Sequence, residues 1–222
     1  MKLERLFFDN LGNFQWSSIA AIIAFLVGLM SIYNNRKTLK LQKDLSVENF
    51  KGNIVSKARI EWIQEVRIKS VDFISACHDF FRYIKTDNYE ESKMLELKSE
   101  IEKKSILLIL YFGPDSDDNR NNDFIVFFIT LLSEKILNKE GYYDIKHICQ
   151  LEDEVVVLKD FLRIYFKAEW KRANGEIDDT EIQNYLEKHS LYVRIKEIYK
   201  SGFSANEEWN DNFYYQLERR TN

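Results

Sequence analysis

Two kinds of hydrophobic pattern divide this chain. From Trp16 to Tyr33, WSSIAAIIAFLVGLMSIY, eighteen residues pass without a charge, with an aromatic at each end. A helix apolar on every side needs an apolar surround on every side, and at ~1.5 Å rise per residue this one covers ~27 Å, close to the ~30 Å hydrocarbon core of a bilayer. Trp and Tyr suit the two headgroup zones. The run predicts one membrane-spanning helix. A cleaved signal peptide fits less well, because Leu29-Met30-Ser31-Ile32-Tyr33-Asn34 offers no small-x-small site.

Beyond the run the pattern becomes periodic. Lys37 to Phe50 keeps helical spacing through Leu39, Leu41, Leu45 and Val47, a stalk, and Gly52-Asn53 permits a bend. From Ile54 to Ile84, Val55, Trp62, Val66, Phe73, Cys77, Phe80 and Ile84 recur by sevens, fours and threes, which predicts an amphipathic helix buried along one side. Tyr89 to Phe112 gives a second helix, charged first and then apolar through Ile106 to Leu110, stopped by Gly113-Pro114. Asp123 is placed to cap a third, Phe124 to Asn138, whose FIVFFITLL is too short to span a bilayer and reads as the central core helix. Tyr143 to Arg172 forms another, with Ile148, Leu151, Val155, Leu158, Leu162, Tyr165 and Trp170 on one side and Ala173-Asn174-Gly175 as its C-cap. Asp178 and Glu181 make a capping box that opens a helix toward Lys200. Ser201-Gly202 ends the pattern, and Trp209, Phe213, Tyr214 and Leu217 dock the tail by a turn or two.

The expected fold is all-α: a single N-terminal transmembrane helix followed by a cytoplasmic helical bundle. Its segments are an interfacial stretch at 1–15, the span at 16–33, a juxtamembrane stalk at 34–53, the bundle at 54–202 and a tail at 203–222. One proline and seven glycines in 222 residues agree with so few breaks. Residues 1–15 carry Leu3, Leu6, Phe7, Leu11 and Phe14 at helical spacing, interrupted by Gly12, so an interfacial helix and an unstructured tail both remain open.

Charge adds direction. Arg36, Lys37, Lys40 and Lys43 follow the span, against Lys2 and Arg5 before it, so the positive-inside rule puts the C-terminal side in the cytoplasm of a bacterial inner membrane and the N-terminus outside. The whole chain carries −4 and residues 1–43 carry +4, six basic against two acidic, which leaves −8 from Asp44 onward. That balance argues against nucleic acid as the main ligand; the lipid bilayer is the first partner expected. Cys77 and Cys149 both sit in apolar helical patterns and read as reduced core residues.

Catalytic signatures are absent from the sequence. His78, His147 and His189 stand alone, and no glycine-rich phosphate loop or GxSxG elbow occurs. Asp115-x-Asp117-x-Asn119 begins like a calcium loop, but Arg120 stands at the turn glycine and Val126 at the bidentate glutamate. The sequence therefore gives no ground for an enzyme, a cofactor or a metal site. Two other patterns remain. Ala20, Ala24 and Gly28, flanked by Ser17 and Ser31, form a small-residue stripe of the sort that lets two spans approach closely, which points to a homo-oligomer. Lys57 to Arg67, KARIEWIQEVR, and Lys167 to Arg172, KAEWKR, each set an acid directly before a tryptophan among basic residues. Arg59, Glu61, Trp62, Arg67, Glu169 and Trp170 are thus candidates for holding a cytoplasmic protein partner, while packed tryptophans with charge pairs at their rims explain the same pattern structurally.

A membrane helix followed by RIEWIQEVR at 59–67, LYFGPDSDD at 110–118 and FKAEWKRANGE at 166–176 resembles an uncharacterised family of bacterial and phage-borne proteins with one N-terminal membrane helix and a helical cytoplasmic domain. The resemblance covers residues 16 to about 176 and implies no catalytic residues. It implies a component of phage-defence or mobile-element loci. The expected function is a defence effector or sensor acting through self-association at the membrane; the alternative is an adaptor that tethers a cytoplasmic protein or nucleic-acid complex there.

Overall fold

The computed structural model describes residues 8, 16–86, 90–115, 120–139 and 141–221, so the expected interfacial stretch 1–15 lies outside it apart from Phe8. Every regular element among the described residues is an α-helix: α1 (Trp16–Ile84), α2 (Glu91–Ile109), α3 (Asn121–Leu137), α4 (Ile145–Ala173), α5 (Ile182–Glu187) and α6 (Ser190–Thr221). The chain divides into two compact units, Met1–Val55 and Ser56–Asn222.

The first unit holds the apolar run. Ile19–Ser46 is long and apolar enough to cross a membrane by length and composition, with mean hydropathy 1.4, and none of that window is buried. Phe25 and Met30 are 66% and 67% exposed. Gly52-Asn53 does not interrupt α1. An interior glycine costs a helix about 1 kcal/mol relative to Ala, whereas proline also removes a backbone bond.

The second unit is a helical bundle. Along α1 the buried stripe is Ile63, Val66, Phe73, Cys77, Phe80 and Ile84, widened by Ala76 and Phe81, while Val55 is exposed. Lys85 reaches Glu152 at 2.6 Å, the Arg67 guanidinium lies 5.8 Å over the Phe166 ring, and the Ser56 hydroxyl donates to the Ala173 carbonyl. These contacts make the bundle portion of α1 antiparallel to α4. α3 is a core helix as expected, with Phe124, Ile125, Phe127, Phe128, Ile129, Leu132 and Ile136 buried. It shares the centre with α4, where Phe161, Leu162, Ile164, Tyr165, Phe166, Ala168 and Glu169 leave only Arg163 and Lys167 exposed between them.

Several ends differ from the sequence reading. Asp123 lies inside the first turn of α3 and does not cap it; Asp115 does, its Oδ2 accepting the Asp123 N–H at 3.0 Å. α4 is capped by Asp144, which accepts from the His147 N–H at 2.7 Å. Its C-terminus closes as expected: Gly175 has φ +71°, Glu176 N–H donates to Lys171 O and Gly175 N–H to Arg172 O, the paired bonds of a Schellman motif. Of the capping box, only the return half is formed, with Asp178 N–H donating weakly to the Glu181 carboxylate at 3.4 Å. α5 stops at Glu187 rather than continuing to Lys200, and a separate α6 runs through Ser201-Gly202 to Thr221, so the expected tail is helix. Gly202 serves packing: a Cβ there would stand 3.3 Å from Phe127 Cζ, so α6 can approach α3 closely. Cys77 is buried, its thiol pushed up to about 12 by desolvation, but Cys149 is exposed and not a core residue.

Candidate functional site

The two acid-tryptophan motifs meet. Arg59 on α1 holds Asp179 with both arms of its guanidinium, Nη1 to Oδ1 and Nη2 to Oδ2, each at 3.0 Å. Arg172 on α4 binds Glu169 at 2.7 Å and approaches Asp179 at 3.7 Å. Two arginines and two carboxylates therefore clamp the loop after α4 onto α1 and α4. Bidentate guanidinium–carboxylate pairs are directional, so this clamp fixes orientation as well as adding attraction. The Arg59 hydrogen bond holds the Asp179 carboxyl below its usual range. Glu169 is only 2% exposed; burial pushes its carboxyl up, against the pull of Arg172 and Arg59.

The candidate interaction residues separate accordingly. Glu169 faces the interior, and Arg59 is engaged with Asp179. Trp62 is half-buried, its indole N–H donating to Tyr111 O at 2.9 Å and its ring meeting Phe112 edge-on at 6.1 Å. Glu61 is exposed beside Lys57 at 3.8 Å. Arg67 and Trp170 are exposed and, with Lys167, line a shallow pocket of 260 Å³. What the pairing chiefly achieves is a seam between α1 and α4.

A second polar cluster, invisible as a sequence motif, continues from that seam. Tyr165 donates to Asn122 Oδ1 at 2.7 Å. Next to it Asn121, fully buried, donates to Gln183 Oε1 at 3.0 Å and accepts from the Tyr192 hydroxyl. Gln183 in turn donates to Glu187 at 2.7 Å. Asp115 lies near this array, its carboxyl pushed up to about 6, chiefly by burial and against the backbone N–H bond from Asp123. Burial also lowers Lys196 and raises Tyr192 to about 12. Buried polar groups of this kind are held by mutual hydrogen bonds because an unpaired one costs ~1–3 kcal/mol.

Beside the cluster, α3, α5 and α6 line an open recess of 430 Å³. Phe124, Tyr192 and Phe203 form its aromatic wall, Gln183 and Lys196 its polar points, and Glu197 and Lys200 stand at exposed positions on its lining. The only sequence trace of this site was the pair Tyr192 and Lys196, four apart and so on one helix face; nothing linked Tyr192 to Asn121, 71 residues earlier, or to Phe124 beside it. Among the described residues, no three His, Cys, Asp or Glu side chains are grouped to hold a metal ion.

No protein family, no curated protein and no solved structure matches the chain.

Proposed function

We propose that this is a single-pass protein of a bacterial inner membrane, with its N-terminus outside and its helical bundle in the cytoplasm, that acts by associating with copies of itself through the span. The observation that carries the reading is the exposure of the apolar run: no residue of Ile19–Ser46 is buried by the protein, although the stretch is apolar enough to cross a membrane. Leaving that surface in water costs ~25 cal/mol per Å², and lipid is the surround that removes the cost on every side at once. The basic flank Arg36, Lys37, Lys40 and Lys43 supports the orientation. The stripe Ala20, Ala24, Gly28 supports self-association, and nothing stands within 4 Å of the space a Gly28 side chain would fill. The role in phage defence, as effector or sensor, is supported by the resemblance of the RIEWIQEVR and KAEWKR motifs.

The experiment is a double substitution, Ala24→Ile with Gly28→Ile, read in a membrane self-association assay and by membrane potential during expression. The expected result is loss of self-association together with loss of depolarisation, with the protein still in the membrane fraction. Unchanged self-association would overturn the proposed role of the stripe. The adaptor reading draws on a separate observation: Trp209 and Phe213, one turn apart on α6, are 61% and 43% exposed and stack at 5.2 Å, an aromatic surface suited to a protein partner. Partner capture without any depolarisation of the membrane favours it.

A further inference from the structure

The seam between α1 and α4 carries an exposed surface that self-association through the span does not use. Lys159, Arg163 and Lys167 step by four along one face of α4, all exposed, and one turn further stands Trp170, 36% exposed. Arg67 reaches the same place from α1, where with Lys167 and Trp170 it lines the pocket of 260 Å³. Its guanidinium lies 5.8 Å over the Phe166 ring, which holds the side chain in place without using its N–H donors.

These bases lack counter-charge on a chain with carboxylates to spare. From Asp44 onward the sequence carries −8, yet among the described residues no carboxylate comes within ion-pair distance of Arg67, Lys159 or Lys167. The nearby acids are engaged or turned away. Asp160 is held by Arg163 at 3.5 Å, and Glu169 is buried with Arg172 at 2.7 Å. Glu65, two positions before Arg67, lies on another side of α1. Like charges four apart on a helix repel by ~0.2–0.5 kcal/mol per pair, so an anion beside this row removes a cost as well as adding attraction.

The form of the surface decides among anions. At 260 Å³ the shallow pocket falls below the roughly 300–1,000 Å³ of sites that enclose a free small molecule. Four bases on so acidic a chain also fall short of the ~6–10 phosphate contacts of a typical nucleic-acid surface. An exposed tryptophan beside an arginine is instead the combination enriched at the energetic centres of protein interfaces. We propose that this face docks an acidic segment of a partner protein, its carboxylates on Arg67 and Lys167 and an apolar or aromatic neighbour on Trp170. The proposal does not depend on the role of the span.

The test selects binders from a random peptide library on the full chain in phosphatidylcholine nanodiscs, and removes every peptide that also binds the double variant Arg67→Glu with Lys167→Glu. Both side chains are exposed, and the variant must keep the helical circular dichroism of the parent; Lys167→Glu alone takes its place otherwise. The expected survivors are rich in Asp and Glu beside an apolar or aromatic residue. They should bind at least tenfold more weakly when Asn and Gln replace those acids, and at least threefold more weakly to Trp170→Ala. The proposal is overturned if no peptide survives, if the survivors are not acidic, or if the amide forms or Trp170→Ala bind as well. Two further results overturn it in favour of another occupant. Displacement of every survivor by short-chain phosphatidylglycerol assigns the face to lipid, and dissociation of the peptide-free oligomer by the double variant assigns it to a second copy of the chain.

Discussion

One helix, α1, carries both hydrophobic patterns of this protein, and they behave in opposite ways. In its first part Phe25, Leu26, Met30 and Ile32 are exposed, and no face is favoured. In its last part Ile63, Val66, Phe73, Cys77 and Phe80 are buried, while Glu65, Arg67 and Ser75 between them are exposed. The backbone is the same and only the spacing of apolar side chains differs. A stripe can be satisfied by neighbouring helices; a fully apolar cylinder cannot be, unless a protein surrounds it or lipid does. The comparison teaches that period, more than total hydrophobicity, decides what kind of solvent a helix is built for.

The strongest way to break the comparison is a matched pair of truncations. Phe73→Ala should destabilise the bundle by about 3–5 kcal/mol, because the ring is fully buried and a cavity would replace it. Phe25→Ala should leave the thermal unfolding of the bundle within about 0.5 kcal/mol of the parent, since that side chain is 66% exposed. Equal effects in a melt followed by circular dichroism would mean the two patterns are not energetically separate.

A smaller effect concerns pH. Burial raises the Asp115 carboxyl from its ordinary 3.8 to about 6, so the folded protein holds that proton more tightly than the unfolded chain does. The contribution is fully present below about pH 3.8 and is lost as pH rises through about 6. Because the side chain is half-buried and screened by water, the loss is on the order of 1 kcal/mol. Asp115→Asn should therefore flatten this share of the stability change between pH 4 and 6, and an unaltered slope would show that the carboxyl is not its source. The smallest expected effects come from two glycines. Gly175→Ala should cost about 1 kcal/mol, because φ is +71° there. Gly52→Ala, in α1 with open space around it, should raise helix content slightly, with a gain of up to about 1 kcal/mol. Changes of the same sign in thermal melts would contradict the geometry assigned to one of them.

Much of the fold was legible because helices here announce themselves by period and by end chemistry. The stripes on α1 and α4 identified the faces that are buried, and Asn174-Gly175 located the Schellman turn. Errors fell where a local signal had a tertiary competitor. Gly202 looked like a stop, but it is the place where α6 comes close to Phe127. Asp123 looked like a cap, but Asp115 arrives from across the loop and takes that role. Glu169 looked like a surface acid because it sits among Lys167, Lys171 and Arg172; burial of its neighbours on α4 carries it inside, where Arg172 follows it.

By itself the sequence determined the helical class, the uncharged run from Trp16 to Tyr33, and the charge asymmetry around it, because each depends on composition and on period along a single helix. Only the tertiary structure decided that Arg59 meets Asp179, that Asn121 meets Tyr192, and that Lys196 stands over Phe124. Those are pairings across 71 to 120 positions of chain. Helical period says which face of a helix turns inward; it carries no information about which distant residue waits there, since that is set by how the helices cross and pack.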